Sequence, residues 1–283
     1  MVRLAFSTNA FKKNTLSEAI EAIAAAGYGG VELMADVPHA YPPSFDSEAR
    51  MITKKRLGEL GMAVSNINAF TLFAEGDTYH PSWIEEDERR REVRIEHTMD
   101  CIELADAMDC RTVSLEPGGP MIGTSIDRKT AGERFAEGLE RLLPLAQRHG
   151  VTLCVEPEPG LFIQKSAEYL EFKKEYFEGE SSVRMNCDIG HLFCVGEDPA
   201  TVIRSMPQEI AHVHLEDIGK NRVHQHLAPG KGAIDFGLVF GALRDIGYGA
   251  WVTVELYPYE NTAAGVAAEA IRYLRPLAER VYS

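Results

Sequence analysis

The chain has no CxxC pair, and its five cysteines, an odd number, frame no disulfide set. Cys154 and Cys187 stand inside apolar runs, so reduced and buried thiols are expected. No apolar run is long enough to cross a membrane. The opening "MVRLAFSTNAFKK" carries neither the apolar stretch nor the small-residue cleavage site of a secretion signal, so a cytoplasmic address is expected and a membrane partner is not. Basic residues are scarce: 29 Lys and Arg stand against 43 Asp and Glu, a formal charge of −14. Polyanions are held by clustered basic side chains, which makes nucleic acid a poor partner. Neither a GxGxxG after the first strand-like run nor a P-loop is present, and the dinucleotide and nucleotide readings lose their usual sign. Nothing Pro/Gly/Ser-rich or of low complexity divides the chain, so residues 1–283 are read as one domain.

What is present is a regular alternation. With 45% hydrophobic and 25% charged residues the chain has the make-up of a globular protein with a large core. Short β-rich runs are each followed by a stretch of helical period. "RLAFST" precedes 15–26, "GGVELM" precedes 46–60, "MAVSNINAF" precedes 85–107 and "RTVSLEP" precedes 127–149. "VTLCVEPEP" then precedes 166–177, "VRMNCDIGH" 198–206, "IAHVHLED" 236–246 and "AWVTVELYP" 261–280. Eight strand-helix units with near-continuous apolar strands predict an α/β protein, a single (β/α)8 TIM barrel.

In such a barrel the chemistry sits at the carboxyl ends of the strands. Those ends carry Asn9, Glu32, Asn68, Glu116, Glu156, Asp188 with His191, His214 with Glu216, and Glu255. Carboxylates about 4 Å apart repel by roughly 4 kcal/mol at an effective dielectric near 20. A ring of Glu156, Asp188 and Glu255 therefore calls for protons or a cation. Three carboxylates and an imidazole suit Mn²⁺, Zn²⁺, Co²⁺ or Mg²⁺ alike.

The runs "VEPEP", "NCDIGH", "AHVHLED", "PGKGAIDF" and "VTVELY" resemble the xylose isomerase-like TIM-barrel superfamily. Within it they resemble the sugar phosphate isomerase/epimerase group, whose relatives include D-tagatose 3-epimerase, hydroxypyruvate isomerase, inosose dehydratase, 3-dehydroshikimate dehydratase and, more remotely, endonuclease IV. The resemblance implies that Glu156, Asp188, His214 and Glu255 bind one divalent metal ion, manganese or zinc first and cobalt or magnesium after. It implies that Glu156 and Glu255 are the catalytic acid and base. It places His191, and loosely Arg222, against a small sugar-like substrate, in a homo-oligomer of two or four chains.

Such a site suits proton abstraction next to a carbonyl through an enediolate: an isomerase or epimerase of a sugar, sugar phosphate or keto-polyol. Loss of a β-hydroxyl after the same first step gives the alternative, a dehydratase of a keto-polyol or a 3-dehydroshikimate-like acid. An endonuclease IV-like phosphodiesterase ranks behind both. His224 and His226 sit where those nucleases carry an Asp-x-His pair for additional zinc, yet Asn68 and Glu116 stand where the nucleases use histidines. Here His224, His226, Asn68 and Glu116 are assigned to substrate binding, in a polar rim over the site. A dead-site binding module has no need of the full ligand and acid/base set. His212 is expected to pack against a helix rather than face the metal. Lys12, Lys13, Arg222 and Lys231 are the basic residues placed to meet a phosphate. The aromatic stretch from Phe70 through Phe73 and Tyr79 to Trp83 reads either as a lid or as an ordered loop.

Overall fold

Aspartates open most of the helices. Asp46, Asp87, Asp127, Asp188, Asp198 and Asp235 each accept a backbone N–H of the first turn, and Thr15 with Glu18 closes a reciprocal capping box. These caps satisfy donors that a helix start otherwise leaves unpaired. The computed structural model describes residues 2–282. Its first half runs β1 (Arg3–Ser7), α1 (Leu16–Ala26), β2 (Gly30–Met34), α2 (Ser47–Glu59), β3 (Ala63–Asn68), α3 (Glu88–Ala107), β4 (Thr112–Leu115) and α4 (Arg128–His149). The second half runs β5 (Thr152–Val155), α5 (Ser166–Tyr176), β6 (Val183–Asp188), α6 (Ile189–Cys194), α7 (Pro199–Ser205), β7 (Ile210–Leu215), α8 (Phe236–Asp245), β8 (Trp251–Val254) and α9 (Ala263–Tyr282).

The eight strands close into one parallel barrel in sequence order, with β8 pairing back onto β1. The expected (β/α)8 architecture is therefore present, with helix limits within three residues of those read from periodicity. One element departs from the alternation. Asp188 ends β6 and at once caps α6, so the "DIGH" run turns into a helix where a strand end was expected.

The core between strands and helices is apolar, with Val113, Leu153, Val213, Leu215 and Val254 fully buried. The barrel interior is not. Ser65 Oγ and Thr253 Oγ1 lie 3.1 Å apart although β3 and β8 are not neighbours, so they meet across the barrel. Asn66 Nδ2 donates to Glu32 Oε2 at 2.9 Å and to Ser114 Oγ at 2.8 Å. Apolar layers usually fill a TIM barrel. Here "AVSNIN" and "AHVHL" bring Ser65, Asn66, His212 and His214 inward, and several of them pair across the interior while Asn66 Oδ1 and His212 Nε2 keep no hydrogen-bond partner.

The long segment between β3 and α3 is held from beneath. Arg94, fully buried on α3, donates to the carbonyls of Ala69, Phe70 and Pro81 at 2.7–3.0 Å. Asp36 accepts from the Thr71 hydroxyl at 2.9 Å and from the Ala74 amide at 3.1 Å. Trp83 is buried against Phe135 with ring centroids 5.6 Å apart, while Phe70, Phe73 and Tyr79 line a cavity above the barrel. The segment is thus an ordered loop packed on the scaffold whose aromatic tip reaches the cavity. Among the described residues no helix is long and apolar enough to cross a membrane.

Candidate metal centre and cavity

Four strand ends place the quartet. Glu156 follows β5, Asp188 ends β6, His214 lies in β7 and Glu255 follows β8. Their ligand atoms lie within 4.8 Å of one another, and all four residues are buried. His214 Nδ1 stands 3.0 Å from Glu156 Oε1, 3.8 Å from Glu255 Oε1 and 4.0 Å from Asp188 Oδ2. Asp188 spends Oδ1 on the amide of His191 at 2.8 Å, the helix cap, which turns its other oxygen toward the cluster.

Charge crowding and burial shift the proton affinities of the group. Burial pushes Glu255 up to about 8; the Glu156, Glu32 and Asp188 charges add to the rise while His214 opposes it. Burial lowers His214, but the carboxylates of Glu32, Glu156 and Glu255 outweigh it and hold its imidazole well above the ordinary range. Glu216, buried beside Asp188, is driven well above the ordinary carboxylate range by burial and by the Asp188 charge. Glu156 Oε2 has no hydrogen-bond partner. An orphaned buried carboxylate oxygen among two further carboxylates and an imidazole fits a divalent cation, which replaces repulsion by shared coordination.

The rim residues separate into two sets. His191 donates Nδ1–H to the Pro157 carbonyl at 3.1 Å and keeps Nε2 3.8 Å from Asp188 Oδ2. His226 donates Nδ1–H to the Glu255 carbonyl at 3.0 Å, and its Nε2 meets His224 Nε2 at 3.0 Å. Their loop is tied down by Asp217, which accepts from the amides of Gly230, Gly232 and Ile234 at 2.7–3.1 Å; a side chain at Gly232 would collide with it. Asn68 Nδ2 reaches Glu32 Oε1 at 3.1 Å and Glu255 Oε1 at 3.3 Å, and Asn9 Nδ2 reaches Glu255 Oε1 at 2.8 Å. His191, His224, His226 and Asn68 all line the cavity, whose volume is about 270 Å³.

Two expected substrate contacts are not brought there. Arg222 is turned away, donating to the Phe193 carbonyl at 2.7 Å with its guanidinium over the Phe193 ring. Glu116 lies fully buried outside the cavity wall, its carboxyl pushed up to about 8 by burial. His212 also corrects an expectation. Residues two apart on a strand share a face, so His212 points into the barrel beside His214, with Nε2 3.5 Å from Glu32 Oε2.

Several residues of the site had no role assigned from sequence, Asn9 beside Glu255 among them. Glu32 sits behind His214 with Oε2 2.6 Å from its Nε2. Glu158 and Tyr257 line the cavity. "VEPEP" displays Glu158 at the same two-residue spacing that pairs His212 with His214, which is the signal that was available.

A family model described as xylose isomerase-like TIM barrel matches residues 20–277. The chain belongs to that family. Similar curated proteins include the inosose dehydratase of Lacticaseibacillus casei, 29% identical over 160 residues, a match covering 50% of this chain and 53% of that protein. The chain thus spans about half the length of that relative. The inosose dehydratase of Clostridium perfringens (strain 13 / Type A) is 27% identical over 270 residues, covering 86% of this chain and 83% of the relative. Among solved structures, a D-tagatose 3-epimerase-like protein superimposes with a TM-score of 0.80 at 18% identity, with both chains covered in full.

Proposed function

We propose that this family member is a divalent-metal-dependent enzyme that abstracts a proton next to the carbonyl of a small keto-polyol, returning it as an isomerase or epimerase. The observation that carries the reading is the quartet: two glutamates, an aspartate and a histidine whose ligand atoms lie within 4.8 Å beneath a cavity of about 270 Å³. Bound there, manganese or zinc, or cobalt or magnesium in their place, supplies Lewis-acid polarisation of a carbonyl and its neighbouring hydroxyl. The protein's residues do the rest. Glu156 and Glu255 reach the site from β5 and β8, strands separated by two others around the barrel. One takes the proton and the other returns one to the opposite face of the enediolate, a role typically contributing about 10²- to 10⁴-fold. Asn9 and Asn68 hold Glu255 in place through their amide donors. His191, fixed through its Nδ1–H, offers its other nitrogen to substrate oxygens.

Dehydration is the second reading, favoured by the inosose dehydratases among the relatives. It shares the first step and differs in expelling a β-hydroxyl from the enediolate as water.

A panel of ketoses and inososes, incubated in D₂O with metal-loaded protein, tests both. The reading expects deuterium at a carbon next to the carbonyl, suppressed in Glu156→Gln and Glu255→Gln. Unchanged product mass apart from the label marks epimerisation or isomerisation, and loss of water with a new ultraviolet chromophore marks dehydration. No exchange across the panel, combined with metal-dependent nicking of abasic DNA, would overturn the reading in favour of a phosphodiesterase.

A further inference from the structure

A third carboxylate faces the cavity and takes no part in the quartet. Glu158 lies two residues past Glu156, lines the cavity and is only 4% exposed. Its backbone is fixed, since its amide donates to the Ile163 carbonyl at 3.1 Å and its carbonyl accepts from Leu161 at 3.2 Å. Its Oε1 accepts the hydroxyl of Tyr79 at 2.7 Å, across from the loop between β3 and α3. His224 Nδ1 lies 3.8 Å away, and among the described residues no lysine or arginine forms an ion pair with it.

A carboxylate has about four acceptor positions, and one phenol fills one of them. A buried carboxylate beside empty space is therefore suited to accept from hydroxyl groups. The surroundings also say what it refuses. Phosphate and carboxylate ligands are held by arginine forks or free ammonium groups. Among the described cavity-lining residues the only such cation is Lys12, and its ammonium is already committed to Glu260 at 2.8 Å. Arg222, the other candidate, faces Phe193.

We propose that Glu158, braced by Tyr79, is a specificity-determining residue that binds substrate hydroxyls in the cavity beside the quartet, selecting an uncharged polyol over a phosphorylated or carboxylated one. The proposal rests on the functional reading above, in which a small keto-polyol occupies this cavity.

Binding measured by calorimetry at pH 8 on the metal-loaded full chain tests it, with myo-inositol and D-sorbitol as neutral probes. Their monophosphate esters and D-gluconate serve as charged probes. The neutral probes should bind, the charged ones at least about 10-fold more weakly. Glu158→Ala should weaken the neutral probes about 10- to 100-fold, the range of a hydrogen bond to a charged group, at unchanged metal content. Glu158→Gln should narrow the gap between neutral and charged probes. Tyr79→Phe removes only the brace, so it provides a second test if Glu158→Ala does not fold, and it should weaken neutral binding by a smaller factor. Charged probes binding as tightly as neutral ones, or neutral affinity untouched by both substitutions, overturns the proposal. Deuterium exchange confined to phosphorylated ketoses would sink it while leaving the functional reading intact. Absence of binding and exchange with every probe would remove both.

Discussion

Glu32 meets the Nε2 edge of His214 at 2.6 Å, and the opposite edge of that ring faces three carboxylates. The glutamate is itself oriented by the amides of Asn66 and Asn68. Burial raises Glu32, but the charge of His214 and its hydrogen bond, with His212 Nε2 3.5 Å away, prevail and hold it well below the ordinary carboxylate range. A carboxylate fixing the far nitrogen of a ligating imidazole sets its tautomer and strengthens it as a ligand. Glu32→Ala should weaken Mn²⁺ binding about 10- to 100-fold in calorimetric titration. Glu32→Gln, which keeps an acceptor, should lose less.

His214→Ala removes the only nitrogen of the quartet. Bound metal, measured by elemental analysis after dialysis, should fall sharply while the far-ultraviolet circular dichroism stays close to the parent's. Full occupancy in that variant would show that the quartet is not the metal site.

The rings of His191, His224 and His226 also bring nitrogens within 4.8 Å of one another. We assign His224 and His226 to the rim, so the double variant His224→Ala/His226→Ala should keep one equivalent of metal and raise the KM for substrate. A parent with two equivalents that falls to one in the double variant reassigns the pair as metal ligands.

Gly190 is required by its neighbour rather than by its own backbone angles. A Cβ there would collide with the carboxyl of Glu216, which lies against Asp188. Gly190→Ala should therefore destabilise the fold by about 1–3 kcal/mol, the usual cost of overpacking, and weaken metal binding along with it. Chemical denaturation of the metal-free protein separates the two effects.

Acid sensitivity should have a contribution far from the metal. His97, buried on α3 against Cys101 and stacked with Tyr41, is pushed down to about 3 by burial and the Arg94 charge. In the unfolded chain an imidazole titrates near about 6.5. Between those values the unfolded state binds more protons, so stability rises with pH and is lost on acidification from about 6.5 toward 3. His97→Gln should reduce the slope of unfolding free energy against pH in that window by up to about 1.4 kcal/mol per unit. A slope identical to the parent's would show that His97 is protonated without penalty.

The barrel was legible because its signal is periodic and repeated: eight apolar runs and eight amphipathic stretches agree with one architecture. The quartet was legible because each member stands at or next to the carboxyl end of such a run. What could not be read was direction within the rim. Arg222 follows β7 in a loop whose path depends on Asp217 gathering three amides, a contact between residues up to 17 positions apart. Glu116 ends β4 as Glu156 ends β5, yet one is sealed beneath the loop above it and the other faces the cavity. His212 was legible in principle, since the two-residue period of β7 already assigns it to the face of His214.

The buried guanidinium of Arg94 makes the loop after β3 an extension of α3 rather than a free tether. Its anchor points at Ala69, Phe70 and Pro81 are backbone carbonyls, so they do not involve the side chains of Phe73 and Tyr79. The shape of the cup that a ligand enters is thus set by side chains at Phe73 and Tyr79 that the anchoring of the loop does not use.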